Sequence, residues 1–412
     1  MNPDSMRLID RHAGVPLCFL ASWLVRLAGI GRKLPTAPKN ILFIELSEMG
    51  STILADPAMK KAQRLWDAQL FFVIFRENRP SLDFLRTVPV DNIFTLRVDS
   101  LWHLGVDTLE LLRWTRRRQI DTVVDLELFS RFTALLTGLA GAGLRVGFHR
   151  FHNEGLYRGA MLTHRVAYNP HIHIAKNFIA LINALAAPTA ELPYSKTLIA
   201  DSEIVIDQVA VPDSQTSAML AQIRQVAPDF EPQRQRLLLL NPNASDMLPQ
   251  RRWPAEHFAT LATTILARWP DFLILITGAA NEWQAAEQLR RRVDDPRLVN
   301  FAGLSRLDQL PALYGLAALM ITNDSGPGHF ASVTRMPTIT LFGPETPALY
   351  GPLGLGQALS AGLACSPCVS AANHRKSACS LPVCMSAISP DSVLAAAAMV
   401  LDQSRSDGAP PN

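Results

Sequence analysis

The chain has 412 residues, 48% of them hydrophobic, and a formal net charge of +3. That length holds two domains with sizeable cores, and so small a positive excess gives no reason to expect a nucleic-acid partner. Five cysteines, four of them in one cluster, do not make a secreted disulfide framework, so a reducing cytoplasm is the expected setting.

The first decision falls at the N-terminus. Residues 13–25, AGVPLCFLASWLV, carry no charge. Arg7 and Arg11 precede them, and Arg26, Arg32, Lys33 and Lys39 follow. The run is too short to span a bilayer, and no small-x-small cleavage site follows it. Residues 1–38 read as an apolar, amphipathic helix with basic flanks. It would lie in the interface of the inner membrane, making the protein peripheral there, or dock on the protein itself.

Residues 40–46 form an apolar run that reads as a first strand. Ser47-Glu48-Met49-Gly50-Ser51 is the turn at its carboxyl end, and a helix follows through Pro57, Met59, Ala62 and Leu65. Further apolar runs lie at 70–75, 92–96 and 122–126, with helical patterns at 106–114 and 131–139. This alternation predicts a parallel sheet with right-handed crossovers, a first domain over 39–190. His171 and His173, with Lys176, either face an acceptor or start a solvated helix. Five prolines between 187 and 235 mark a linker over 191–235, with a helix at 214–226 leading into the second domain.

The second domain, 236–388, repeats the pattern. Its strands are expected at 236–240, 272–276, 298–301, 319–322 and 338–342. Helices are expected from Trp253-Pro254, over 283–292, and after Ser305-x-x-Asp308, which resembles a capping box. The strand at 319–322 stops at Asn323-Asp324-Ser325-Gly326, and a small-residue helix follows over 327–333. In doubly wound domains, ligands bind at the carboxyl ends of the strands. Gly326 and Gly328 would let backbone approach a ligand closely, and Pro327 fits a first helical position. The competing reading is that Asp324 and Ser325 only cap the helix. A last helix is expected over 389–401, then a disordered tail over 402–412.

Four cysteines, Cys365-x2-Cys368-x10-Cys379-x4-Cys384, share a loop with Pro367, His374, Arg375 and Lys376. They are either a candidate structural zinc site of four thiolates or free or reversibly oxidised thiols.

Three motifs in order resemble glycosyltransferase family 9, the heptosyltransferases that build the inner core of lipopolysaccharide. They are Leu46-Ser47-Glu48-Met49-Gly50 with Pro57, then Arg251-Arg252-Trp253-Pro254 behind the 243–245 loop, and then Asn323-Asp324-Ser325-Gly326 with His329 and Phe342-Gly343-Pro344. The resemblance covers about residues 39–400. It implies an α/β GT-B fold: two Rossmann-like domains facing a central cleft, the first on the acceptor side and the second binding the donor. Asp324, Ser325, Gly326 and His329 would hold a nucleotide-sugar, favoured as ADP-linked. Asn243 and Ser245 lie in the loop beside its phosphates. Arg251 stands where the family usually has a lysine; the exchange keeps charge but not geometry. No metal or other cofactor is required for transfer of this kind.

One position departs from the family. Its usual catalytic aspartate, directly after the glycine of the first turn, is here Ser51. A neutral serine is a poor base, so Glu48 is the candidate substitute, with Asp56 a weaker one. Met49, Gly50, Ser51 and Lys176 would line the acceptor side. The implied activity is inverting transfer of a sugar, heptose foremost, to a lipid-linked or phosphorylated saccharide of the lipopolysaccharide core. Ser51 motivates the rival: a non-catalytic nucleotide-sugar-binding partner in envelope polysaccharide assembly.

Overall fold

The computed structural model describes residues 3–31, 34–128, 130–151, 156–188, 195–370, 373 and 375–406. The chain divides into two compact units, Met1–Val205 and Ile206–Asn412.

The first unit opens with two helices, α1 (Pro3–His12) and α2 (Gly14–Ala28). There follow β1 (Asn40–Ile44), α3 (Met49–Trp66), β2 (Gln69–Phe75), α4 (Pro80–Leu85), β3 (Ile93–Leu96), α5 (Leu101–Arg117) and β4 (Thr122–Asp125). The unit closes with α6 (Arg131–Leu139), β5 (Leu144–Phe148), β6 (His164–Val166) and α7 (Ile174–Ala186). The second unit runs α8 (Asp213–Val226), β7 (Arg236–Asn241), α9 (Ala255–Arg268), β8 (Phe272–Ile276), α10 (Trp283–Val293) and β9 (Leu298–Asn300). It continues with α11 (Leu310–Gly315), β10 (Ala317–Asn323), α12 (Gly326–Ala331), β11 (Thr338–Phe342), α13 (Pro347–Tyr350), β12 (Gly356–Ser360), α14 (Val383–Ser386) and α15 (Pro390–Ser406).

Both sheets are parallel, ordered β3-β2-β1-β4-β5-β6 and β12-β11-β10-β7-β8-β9. Each therefore starts in the middle, grows to one edge, and returns to grow to the other. The reversal opens a crevice at the carboxyl ends of β1 and β4 in one unit, and of β7 and β10 in the other. That is where doubly wound sheets bind ligands. The central strands are apolar throughout because helices cover both faces. Leu42, Phe43 and Ile44 are buried, as are Leu238, Leu239 and Leu240. Register sets the floor of each crevice. Ile44 pairs with Asp125, and Asn241 with Thr322.

The differences from the sequence reading are concentrated at edges and ends. β5, β6 and β12 carry no continuous apolar run. Arg145 interrupts β5 and donates from Nε to Met161 O at 2.6 Å, β6 has three residues, and β12 is largely half-exposed. The N-terminal segment is two helices, not one, and α15 runs past 401 to Ser406, with 407–412 outside the described residues. The 191–235 stretch is tied down on both sides of the unit boundary. Glu203 pairs with Lys61 at 2.6 Å, and Val209 N donates to Val333 O at 2.8 Å; residues 191–194 are outside the described set. Ser305-x-x-Asp308 does not cap α11: Gln309 Oε1 accepts from Arg306 N at 2.9 Å, and Asp308 pairs with Arg306 at 2.6 Å.

Candidate functional site

In the second unit, Asn323 ends β10 fully buried. Its Oδ1 accepts from Trp253 N at 3.1 Å and its Nδ2 donates to Pro242 O at 2.8 Å. One amide thus clamps the loop after β7 and the start of α9 to the end of β10. Asn243 braces the same loop from below, donating to Thr277 O at 3.2 Å. Ser245 is exposed on the loop, and its Oγ accepts from Met247 N at 3.2 Å. That leaves the hydroxyl proton able to donate outward.

Of the two adjacent arginines, geometry selects one. Arg252 spends its guanidinium on Ala244 O, at 2.7 Å from Nη2, and on Asp246. Arg251 Nη1 lies 3.6 Å from Asp324 Oδ2. Its Nε is buried without a hydrogen-bond partner among the described residues. A buried guanidinium N–H left unpaired costs free energy, so this atom is poised for an acceptor that arrives with a ligand.

Ser325 occupies the N-cap position of α12 but makes no side-chain cap; its Oγ donates to Asn323 O at 3.2 Å. The helix-cap reading of that hydroxyl therefore fails. α12 has six residues, too short for a full macrodipole. Gly326 and Gly328 also separate. A Cβ on Gly326 would meet nothing closer than Phe330 at 3.5 Å, while one on Gly328 would stand 3.2 Å from Thr340 Oγ1. The packing of α12 on the sheet therefore gives Gly328 a structural reason that Gly326 lacks. His329 is half-buried one turn into α12.

In the first unit, the turn after β1 gathers carboxylates. Glu48 is half-buried at the N-cap of α3 without capping it. Its Oε2 accepts from Ser51 Oγ at 2.7 Å, and its N donates to buried Glu45 Oε1 at 3.3 Å. Met49 and Gly50 are half-buried beside it, and Ser51 is buried. From the end of β4, Glu127 reaches across. Its Oε1 accepts from Leu46 N at 3.1 Å and Ser47 Oγ at 3.0 Å. Burial first, and the nearby Glu48 charge next, raise Glu127 above the usual carboxylate range. Asp125, buried below it, accepts from Glu127 N at 3.2 Å and pairs with Arg158. Burial raises Asp125 as well, against the pull of Arg158.

The sequence reading missed Glu127 and Asp125, whose only signal was position: the end of the strand that pairs with β1. Asp56 is excluded from the site, fully buried with Lys60 at 2.7 Å and Thr87 donating to it. Lys176 does not stand open in the crevice either. It pairs with Asp201 at 2.7 Å, and His173 caps α7 through Nδ1, which accepts from Ala175 N at 3.2 Å.

The cysteine loop returns to the end of β11, where Cys368 N donates to Pro344 O at 2.9 Å and Ser366 Oγ to Gly343 O. Cys365, Cys368 and Cys379 are exposed and Cys384 is buried. A Cβ on Gly343 would stand 3.0 Å from Cys384 Sγ. Among the described residues no three His, Cys, Asp or Glu side chains form a ready metal-ligand set, and His374 lies outside them. Burial first, then the neighbouring thiols, raises the Cys384 pKa.

Comparison with known proteins places these crevices in context. The family model described as glycosyltransferase family 9 (heptosyltransferase) matches residues 109–378. The lipooligosaccharide heptosyltransferase 2 of Haemophilus influenzae is 31% identical over 108 residues, 26% of this chain and 31% of that protein. The chain thus spans about a third of that relative's length. The lipopolysaccharide core heptosyltransferase OpsX of the same organism is 22% identical over 318 residues, 77% of this chain and 82% of its own. The solved ADP-heptose lipopolysaccharide heptosyltransferase II of E. coli superposes with a TM-score of 0.65 at 19% identity, covering 89% of this chain and 99% of that one. The likeness shows a shared GT-B fold.

Proposed function

Because the chain belongs to glycosyltransferase family 9, the heptosyltransferases, we propose that it transfers a heptose from an ADP-linked donor to a saccharide of the lipopolysaccharide core, with inversion at the anomeric carbon. The observation that carries this reading is Arg251, with its buried, unpartnered Nε beside Asp324 at the β7/β10 crevice. A diphosphate oxygen there would complete the guanidinium's hydrogen bonding, and a planar guanidinium can hold two oxygens at once. The Ser245 hydroxyl would donate to the same group, and Asp324 would accept from a sugar hydroxyl.

The first unit supplies the base. Glu48 takes the proton of the acceptor hydroxyl as its oxygen attacks the anomeric carbon. The bond from that carbon to the diphosphate breaks on the opposite side, and its electron pair leaves with the nucleoside diphosphate. Ser51, where the family usually has its aspartate, donates to Glu48 and so fixes the direction of the carboxylate that replaces it. Glu127 is a positioning residue: it holds the backbone and hydroxyl of the 46–47 turn that carries Glu48.

Release of ADP from ADP-heptose in the presence of a heptose-deficient core acceptor tests the reading. Product formation supports it. Tight donor binding without turnover would favour the non-catalytic nucleotide-sugar partner. The four cysteines are a separate proposal, a structural zinc site; metal analysis of chelator-free protein supports it with one equivalent of zinc and removes it with none.

A further inference from the structure

α2 has two apolar sides, and among the described residues only one is covered. Its inner stripe of Gly14, Cys18, Ala21 and Val25 packs on α6 and the chain at 157–161. The fit is close: a Cβ on Gly14 would stand 2.8 Å from Arg131 Cδ. Ser22 Oγ donates to Cys18 O at 2.6 Å and accepts from Ala160 N at 2.8 Å. α1 is anchored by Asp10, which accepts from Arg131 N at 2.9 Å and Phe132 N at 3.1 Å and pairs with the Arg131 guanidinium at 3.1 Å. The helix pair is therefore a fixed part of the first unit.

The opposite side of α2 is a broad apolar arc. Leu17, Leu20, Leu24 and Leu27 run along it, and Phe19 and Trp23 widen it; each is between 48% and 61% exposed. A helix apolar on both sides needs a second partner, and a contiguous exposed apolar patch marks an interaction site. No helix among the described residues is long and apolar enough to cross a membrane. At 15 residues, α2 is about 22 Å long, suited to lying in a surface.

We propose that the Leu17–Leu27 face of α2 docks in the plane of an anionic phospholipid bilayer, with α1 and the first unit held above it. Charge argues for lipid. The first 39 residues hold six lysines and arginines against two aspartates, and Asp10 is turned inward onto Arg131. Arg11 and His12 are exposed before the arc and Arg26 towards its far end, as basic residues flanking an interfacial helix should be. Trp23 supplies the amphipathic ring that favours the headgroup level. A second copy is a poorer occupant: two-fold pairing of the same face brings each basic rim against its own kind. This inference is independent of the transfer chemistry and stands or falls without it.

Flotation of the full chain with phosphatidylcholine vesicles, with and without phosphatidylglycerol, tests it. The chain should float with the anionic vesicles, less so at high salt. Leu20→Glu with Leu24→Glu should cut binding by more than about tenfold with the thermal transition unchanged, since both side chains are exposed. Arg26→Gln should weaken binding by about fivefold. Brominated lipid should quench fluorescence in the native chain and less in Trp23→Phe. Equal flotation of the double-glutamate variant and the native chain would overturn the proposal. So would self-association in sedimentation velocity that the same double variant abolishes, with no vesicle binding.

Discussion

The two crevices have one topology and opposite chemistry. Between β7 and β10 the chain places an arginine, neutral amides and a hydroxyl around one aspartate. Between β1 and β4 it places Glu45, Glu48, Asp125 and Glu127, and the buried Arg158 pairs with Asp125. Identical strand order therefore does not decide what a crevice binds. The residues of the loops that follow the central strands do, because they stand at the carboxyl edge. A crevice that offers a guanidinium and a hydroxyl donor suits a diphosphate; a carboxylate crevice suits the removal of a proton from a hydroxyl.

The comparison breaks most readily at Glu48. Glu48→Gln should lower kcat by about 10²–10⁴-fold, the usual contribution of a general base, while donor affinity measured by calorimetry stays within about twofold of native. On the other side, Arg251→Ala should raise the donor Kd by about 10–100-fold, from the ~1.5–3 kcal/mol of a hydrogen bond to a charged group. Arg251→Lys should recover part of that loss, since it restores charge without the fork. A larger effect of Arg251→Ala on acceptor KM than on donor Kd would reverse the assignment of the two crevices.

Two smaller effects sharpen the contrast. Asn323→Ala strands the Trp253 N–H and the carbonyls of Pro242 and Asn243 in the second unit. It should cost about 1–3 kcal/mol in urea unfolding and leave acceptor KM alone. Glu127→Gln keeps both acceptor bonds to Leu46 N and Ser47 Oγ through its amide oxygen but removes a charge. Because Glu127 is raised in the folded state, its contribution is fully present below the ordinary carboxylate pKa and lost as pH rises through the folded one. The Gln variant should therefore gain stability relative to native at neutral pH, and not at acid pH.

Much of this was legible in the sequence where the physics is local. The apolar runs of β1, β4, β7 and β10 were read from the sequence, as were the turns after β1, β7 and β10. What was not legible depends on pairing across the sheet. Glu127 joins Glu48 only because β4 lies beside β1, and no pattern in the intervening helices encodes that neighbour. Arg251 and Arg252 look alike until Ala244 O takes one of them. Gly328 reads in the sequence as a ligand glycine, and the crowding by Thr340 that it also relieves is visible only in the fold. Edge strands β6 and β12 were missed because a strand half-open to solvent needs no unbroken apolar run.

The central claim is that the Glu48 carboxylate, held by Ser51, does the work of the aspartate the family usually carries at position 51. The most direct test is the single-turnover rate of ADP release by Glu48→Gln, and by Glu48→Gln combined with Ser51→Asp. The account predicts that the first variant loses at least about a hundredfold and that the added aspartate returns a measurable part of it. Full activity in Glu48→Gln alone would contradict the account and move the base elsewhere.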